Sequence, residues 1–371
     1  VMMPDGRILY TRWEYWTKGA VSVKCLWAMR PDGSGSAEIY AADISLPPTF
    51  IYGRPIPNTE NKYVVMGTPH CPQNGIGTII RLDMRKNIRT RDPMTYMTPY
   101  TDIQAEGGFS FKDKDGRWVR DGRGRGPLFK DPYPLSEKLF LVAHKPGGEI
   151  WTDPTGYGLY ILDEKGNVGL IHKEDDISCW LPYPLKPRKK PPVLITDFDK
   201  KMASKNLATC VVTDIYHGME ETKRGTVKYI RVMEQIPRPW ATRRRWSGDN
   251  YDQQHATITK DTHLGLKVQH GVVPVEADGS AHFVVPAKAN IAFHALDENY
   301  MAVQIERTYV NYMPGETRAC IGCHETPNDA AAAKPRAGAV MALKRPASVP
   351  GPQIGEKSGQ RPLHYATDVQ P

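Results

Sequence analysis

No apolar run in the 371 residues approaches the ~18 needed to cross a bilayer, so no transmembrane helix and no membrane span is expected. No signal peptide opens the chain, and Val1 leads almost directly into a strand-like run while Pro371 stops in mid-phrase. The expectation is a piece of a longer protein, missing sequence at each end. The glycines of Gly107-Gly108 and Asp121-Gly-Arg-Gly-Arg-Gly126 superficially suggest a phosphate loop. No Gly-Lys-Ser/Thr follows them and no helical pattern succeeds them, so residues 100–135 read as an exposed insertion. Cysteine is scarce, with 6 in the chain, and only one Cys-x-x-Cys occurs. A zinc ribbon would require a second.

The basic excess is not concentrated either. Net charge is +8, from 49 Lys and Arg against 41 Asp and Glu. The clusters are Arg243-Arg244-Arg245 and Lys186-Pro-Arg188-Lys189-Lys190, set among Pro, Trp or Ser, and no helix presents them as one stripe. They read as solvated loops rather than a nucleic-acid surface, and a basic rim of this kind suits an acidic redox partner.

What is present is Cys320-Ile-Gly-Cys323-His324. Two cysteines two residues apart with a histidine immediately following form the attachment sequence of a c-type haem. Each thiol adds to one vinyl group of the porphyrin, and the spacer sets the sulfurs as far apart as the vinyls. The adjoining histidine then comes beneath the iron as an axial ligand. The competing readings are a disulfide hairpin and half a zinc site. Attachment of this kind takes place outside the cytoplasm in bacteria, so the expected location is periplasmic or otherwise extracytoplasmic. Cys25, Cys71, Cys179 and Cys210 are too scattered for a pairing to be deduced.

In order along the chain, residues 1–185 read as β. Arg7–Trp13 is one strand. Cys25–Arg30 and Ala37–Ala41 flank Pro-Asp-Gly-Ser-Gly, and Gly158–Asp163 and Val168–His172 flank Glu-Lys-Gly-Asn. Gly77–Asp83 is a weaker copy, and the recurrence suggests β-propeller blades, too few to close a ring, against a non-repeating sandwich. Leu139–His144 is a buried-type strand with His144 as a satisfied strand-end residue. Leu181–Val193 carries five prolines and four positive charges, which excludes helix interior and central strand alike and marks a domain boundary. Residues 191–330 form a second β-rich, sandwich-like domain with strands near Ala208–Thr213 and Val227–Met233. Arg238–Asp252 is an irregular loop, Val272–Pro286 a hairpin around Asp-Gly, and Ile291–Phe293 and Tyr300–Ile305 the last strands before the motif. His282 and His294 read as packed strand residues. Residues 331–371 are an extended tail. The fold class is therefore mainly β: partial propeller blades, then a haem-binding β domain.

Several segments together resemble the hydrazine synthase alpha-subunit family. They are Ala37-Glu-Ile-Tyr with Arg54-Pro-Ile-Pro, and Asp176-Ile-Ser-Cys-Trp180 with Pro187-Arg-Lys-Lys-Pro-Pro-Val193. The strongest are Val275-Glu-Ala-Asp-Gly-Ser-Ala-His-Phe283 and Gly315-Glu-Thr-Arg-Ala-Cys-Ile-Gly-Cys-His-Glu325. The resemblance implies a propeller followed by a middle β domain with one c-type haem, and a further cytochrome-like domain to which Tyr365–Pro371 looks like the lead-in. In the family enzyme the motif histidine binds zinc beside the haem, and a tyrosine four residues on ligates the iron. Here that position is Asn328, a poor iron ligand. His324 is then expected on the iron, with Tyr309 and Tyr312 as alternatives. The resemblance also draws attention to His70-Cys71, between Pro69 and Pro72, where family members place histidines. Adjacent strand residues point to opposite faces, so the pair serves a metal or the haem's second side only if the chain turns there. The alternative is a turn with one buried thiol.

The function expected from this reading is a redox module of a hydrazine synthase alpha-like complex, acting on a small nitrogen compound or passing electrons. Its cofactor is haem c, with zinc implied by the resemblance. Its partners are a redox protein or other subunits of a multi-haem complex. The competing reading is a non-catalytic propeller scaffold whose haem is six-coordinate and only transfers electrons.

Overall fold

The computed structural model describes residues 1–14, 23–71, 75–195, 198–236, 267–306, 308–323, 340–356 and 361–362. Two compact units divide the chain: Val1–Asp32 with Ala37–Leu194, and Gly33–Ser36 with Ile195–Pro371.

The first unit begins with β1 (Ile8–Trp13), β2 (Lys24–Met29), β3 (Ala37–Tyr40), β4 (Thr49–Pro55), β5 (Lys62–Thr68), β6 (Thr78–Asp83) and β7 (Met94–Tyr96). These make one sheet in the order β1-β2-β4-β5-β6-β7, with β3 hairpinned onto β2. Within it β4 to β7 is an antiparallel four-stranded meander, joined to β2 by a single parallel pairing of Lys24 with Thr49. A second meander is built from β11 (Leu128–Pro134), β12 (Leu139–Lys145), β13 (Gly158–Asp163) and β14 (Val168–His172). Such meanders have the form of propeller blades. Alternation explains how they pack. Tyr63 and Val65 of β5 enter one core with Ile80 and Leu82, while Val64 and Met66 enter another with Phe129, Phe140 and Val142. One strand therefore feeds two cores because successive side chains face opposite ways. Each large apolar side chain so buried contributes roughly 1.5–3 kcal/mol.

Residues 100–135 are not the exposed insertion that their glycines suggest. They form a three-stranded sheet of β8 (Thr101–Ile103), β9 (Phe109–Lys112) and β10 (Trp118–Asp121), followed by β11. Ile103, Phe109, Phe111 and Leu128 make a small core with Ile76 and Tyr157. Ile103 of β8, Phe109 and Phe111 of β9 and Leu128 of β11 outweigh the glycines between them.

Leu181–Val193 holds no strand, and Leu185, Val193 and Ile195 are almost fully exposed. The second unit then opens on its short helix α1 (Lys200–Ser204), capped by Asp199, whose Oδ1 accepts from the Lys201 and Met202 amides. Its strands are β15 (Leu207–Val212), β16 (Tyr229–Gln235), β17 (Lys267–Pro274), β18 (Ala281–Pro286), β19 (Asn290–Leu296), β20 (Ala302–Ile305), β21 (Val310–Asn311), β22 (Thr317–Cys320) and β23 (Arg361–Pro362). A three-stranded sheet, β18-β15-β22, faces a six-stranded one, β20-β19-β16-β17-β23 with β21 on β19. Their shared core contains Ala208, Cys210, Phe283 and Val285 from the first, and Ile230, Val232, Val273 and Ile291 from the second. It is a two-sheet sandwich.

The expected hairpin over Val272–Pro286 is corrected by this topology. Its Asp278-Gly279 turn is tight, with Glu276 N–H donating to the Ser280 carbonyl at 2.8 Å. The strands on either side nonetheless join different sheets, β17 pairing with β16 and β18 with β15. A turn signal fixes local reversal, not the pairing of the strands that flank it. Beyond the motif, residues 340–356 cross the second unit, with bridges from Ser348 to Phe283 and from Gly351 to Val272.

Candidate functional site

The motif lies at the end of a strand held on its inner side. β22 runs parallel to β15, with Thr209 opposite Thr317 and Val212 opposite Cys320. Both strands leave the sheet together, and the segment after β15 grips the cysteine loop through its backbone. The Thr213 amide donates to the Cys320 carbonyl at 2.9 Å and the Asp214 amide to the Ile321 carbonyl at 3.0 Å. Thr213 Oγ1 also donates to Ile321 O at 3.0 Å. In return the Cys323 amide donates to the His217 carbonyl at 3.2 Å. Gly322 makes this approach feasible. A Cβ there would fall 2.4 Å from the His217 carbonyl oxygen and 2.5 Å from the His217 Cβ. The residue between the cysteines must be glycine for the clamp to close.

Cys320 and Cys323 are both free thiols, half-buried, and both pack against the sandwich core. Burial pushes the Cys323 thiol up to about 11, and the charge of Glu306 adds to the shift. Among the candidate tyrosines, Tyr309 is half-buried, whereas Tyr312 is wholly buried. Among the described residues no hydrogen bond of acceptable geometry reaches the Tyr312 hydroxyl, although the Cys210 thiol adjoins it. Burial drives its pKa well above the usual phenol value. The Cys210 and Cys320 thiols push the same way, and Arg318 opposes them. A neutral, orphaned phenol thus stands close to the first motif cysteine. His324 and Asn328 lie outside the described residues, as do Arg238–Asp252 and Tyr365–Pro371.

This geometry fits a covalently held haem. Two reduced thiols sit where one strand ends, exposed on one side and seated on an apolar core on the other. The Cys320 and Ile321 carbonyls and the Cys323 amide of the loop are hydrogen-bonded to the Thr213–His217 segment. Cys320 and Cys323 would hold the macrocycle by thioether bonds.

The other expected residues fall elsewhere in the chain. His282 and His294 are on β18 and β19, with His282 Nδ1 and His294 Nε2 buried and unpartnered among the described residues. His144, in β12, is buried and hydrogen-bonded through Nδ1 to Leu128 O at 2.9 Å. His70 and Cys71 belong to the first unit, just past the end of β5, where the chain bends away from the strand. Sequence reasoning did not single out the Thr213–His217 clamp or the proximity of Cys210 to Tyr312. The one available signal was Gly322, a residue type that marks close backbone approach.

Residues 225–325 match the sequence model of the hydrazine synthase alpha subunit middle domain. Among solved structures the fold is similar to a chain of Kuenenia stuttgartiensis hydrazine synthase, with a TM-score of 0.63 and 18% sequence identity. That similarity covers 87% of this chain and 43% of the other, so this chain spans less than half of that one. No curated protein matches the chain.

Proposed function

We propose that this chain, a distant member of the hydrazine synthase alpha-like family, is an extracytoplasmic haem c redox module. The observation that carries the reading is the pair of free, half-buried thiols of Cys320 and Cys323 on a clamped loop inside the segment that matches the middle domain. A haem bound there would supply a one-electron centre and an iron able to act on a small nitrogen compound.

The chain's own residues have separable roles in this reading. Cys320 and Cys323 fix the position of the group, and Thr213, Asp214 and His217 fix the loop that carries them. The sandwich core beneath lowers the local dielectric, which favours the less charged redox state. His324 follows Cys323 directly, so attachment carries its imidazole close to the iron at little entropic cost. Tyr312 would have to lose its proton in a place where burial strongly opposes that loss. His324 is therefore the residue that would bind the iron in this proposal. The proposed partners are a redox protein or the other subunits of a hydrazine synthase-like complex.

The absorption spectrum of the reduced protein with and without carbon monoxide tests the activity. A high-spin spectrum that shifts on carbon monoxide binding supports chemistry at an open iron. A low-spin, six-coordinate spectrum indifferent to carbon monoxide would make the chain an electron carrier and remove the catalytic reading.

A further inference from the structure

At one end of the sandwich in the second unit, where β15 begins and β16 and β18 finish, lies a cavity of about 620 Å³. That volume is within the range of small-molecule sites. Leu207, Val285 and Pro286 contribute to its apolar wall. A charged pair also lines it. Along β16 the alternation that buries Ile230 and Val232 in the core turns Glu234 toward the same side. Its partner His270 arrives by a break in register. Gln269 of β17 faces Met233 and Gly271 faces Val232, so His270 is the extra residue of a β-bulge. Gly271 makes the bulge feasible, with φ at +128° and the Gly351 carbonyl oxygen only 2.4 Å from where a Cβ would stand. His270 Nε2 and Glu234 Oε2 are hydrogen-bonded at 2.7 Å, and the two side chains are 11% and 25% exposed.

A largely buried ion pair adds little stability over apolar residues of the same volume, so the fold itself does not call for one here. Bulges re-aim side chains, and this one sets His270 against Glu234 inside the cavity. Two lysines complete the lining, Lys205 just before β15 and Lys288 just after β18. Asn206 and Lys288 both hold left-handed backbone, with φ of 55° and 57°, which is uncommon outside glycine. Strain of this kind persists only where neighbours fix it. The Ala287 amide donates to Asn206 O at 2.9 Å, and Asn206 Nδ2 donates to Ala287 O at 3.2 Å. The Lys288 amide donates to Tyr312 O at 2.8 Å. The backbone that carries each lysine is therefore held in place at the cavity.

We propose that this cavity binds a small organic carboxylate, with its apolar body against Leu207, Val285 and Pro286 and its charged head toward Lys205, Lys288 and His270. The charges lining the cavity are two lysines against one carboxylate, a balance that favours an anion. Glu234 engages His270 through Nε2, and no hydrogen bond reaches Nδ1 among the described residues. A protonated imidazole would then donate from Nδ1 to the ligand while Glu234 holds its orientation, a charge-assisted bond at each nitrogen. Other uses of the pair fail on the residues present. No Ser, Thr or Cys lines the cavity, so the His270–Glu234 pair has no nucleophile to activate. One imidazole and one carboxylate fall short of the three protein ligands of a catalytic zinc. An inorganic anion would leave the apolar wall unused. The site needs no residue of the haem motif and is separate from the redox reading.

Calorimetric titration of the haem-loaded full chain with hexanoate tests it. Two further probes run alongside: 1-hexanol, which has the body without the charge, and inorganic phosphate, which has the charge without the body. One hexanoate per chain is expected, bound more tightly than either. His270→Ala should weaken hexanoate by about tenfold or more, the worth of one hydrogen bond to a charged group. Lys205→Ala/Lys288→Ala should weaken it severalfold and flatten its dependence on salt. Both lysines are exposed, so this variant carries the test if His270→Ala does not fold. Lys114→Ala, at an exposed position of the first unit, should change nothing, and haem content should be the same throughout. A parent chain that does not bind hexanoate, hexanol or phosphate bound as tightly as hexanoate, or folded His270 and lysine variants that bind like the parent would overturn the site.

Discussion

At the scale of single residues, the buried imidazoles and the buried phenol make opposite demands on their surroundings. Burial holds His144 at about 4, where its stacking on Phe129 and its bond to Leu128 O keep it neutral. His294 is likewise lowered to about 4, by burial first and then by Lys267 and Arg231. Between about pH 6.5 and 4 the unfolded chain takes up protons at these positions that the folded chain refuses, so stability falls as pH falls through that window. We expect the melting temperature to drop from pH 7 to pH 4 and the drop to be shallower in His144→Phe, which keeps the ring stack and cannot titrate. An equal drop in that variant would exclude His144 as a source. Tyr312→Phe is the complementary case. Removing an unpartnered buried hydroxyl relieves a cost of about 1–3 kcal/mol, so the haem-free variant should be at least as stable as the parent. With His324 on the iron, Tyr312→Phe should also leave the haem spectrum unchanged while His324→Ala alters it and retains attachment. The reverse pattern would put Tyr312 on the iron. The motif cysteines and the packed state of His144 were legible in the sequence because short spacing and strand pattern encode them. Tyr312 beside Cys210 was not, since that contact joins residues a hundred positions apart.

At the scale of elements, most strands follow from alternation and turn chemistry. β2 with β3 and β13 with β14 are the hairpins their Asp- and Gly-containing turns announce. The sequence misleads where pairing is long-range. β17 and β18 look like one hairpin but belong to two sheets, because Gln269, Gly271 and Val273 pair with β16 while Ala281–Pro286 complete β15. The parallel pairing of β15 with β22 is equally invisible locally, yet it delivers Cys320 to the clamp. Gly322→Ala tests that clamp. Its Cβ would collide with backbone, which cannot swing aside as a flexible side chain can. The loop must then part from residues 213–217. Expected results are a melting temperature lowered by several degrees and a smaller haem-bearing fraction when the variant is expressed with haem supply. Gly148→Ala, where a Cβ would meet nothing within 4 Å but φ is positive, controls for backbone strain alone. Matching losses in both variants would remove the clamp from the account.

For the whole molecule, the expected limits of 185 and 191 fall inside the proline-rich stretch Leu181–Val193, and the two compact units part just after it, at Leu194 and Ile195. The stretch has no strand hydrogen bonds to protect it, so limited proteolysis should cut between residues 181 and 195 early, with haem stain on the C-terminal product. Blade-like meanders and a sandwich were readable as β-rich halves from composition and turns, but which strands share a sheet depended on contacts distant in sequence. The central claim is that this fold holds haem through two thioether bonds, and denaturing electrophoresis followed by haem staining of the chain expressed with a c-type attachment system tests it most directly. The account predicts a stained band at the polypeptide's position that vanishes in Cys320→Ser/Cys323→Ser while the protein band remains. A stain that survives in that variant, or a wild-type chain that never stains, would contradict it.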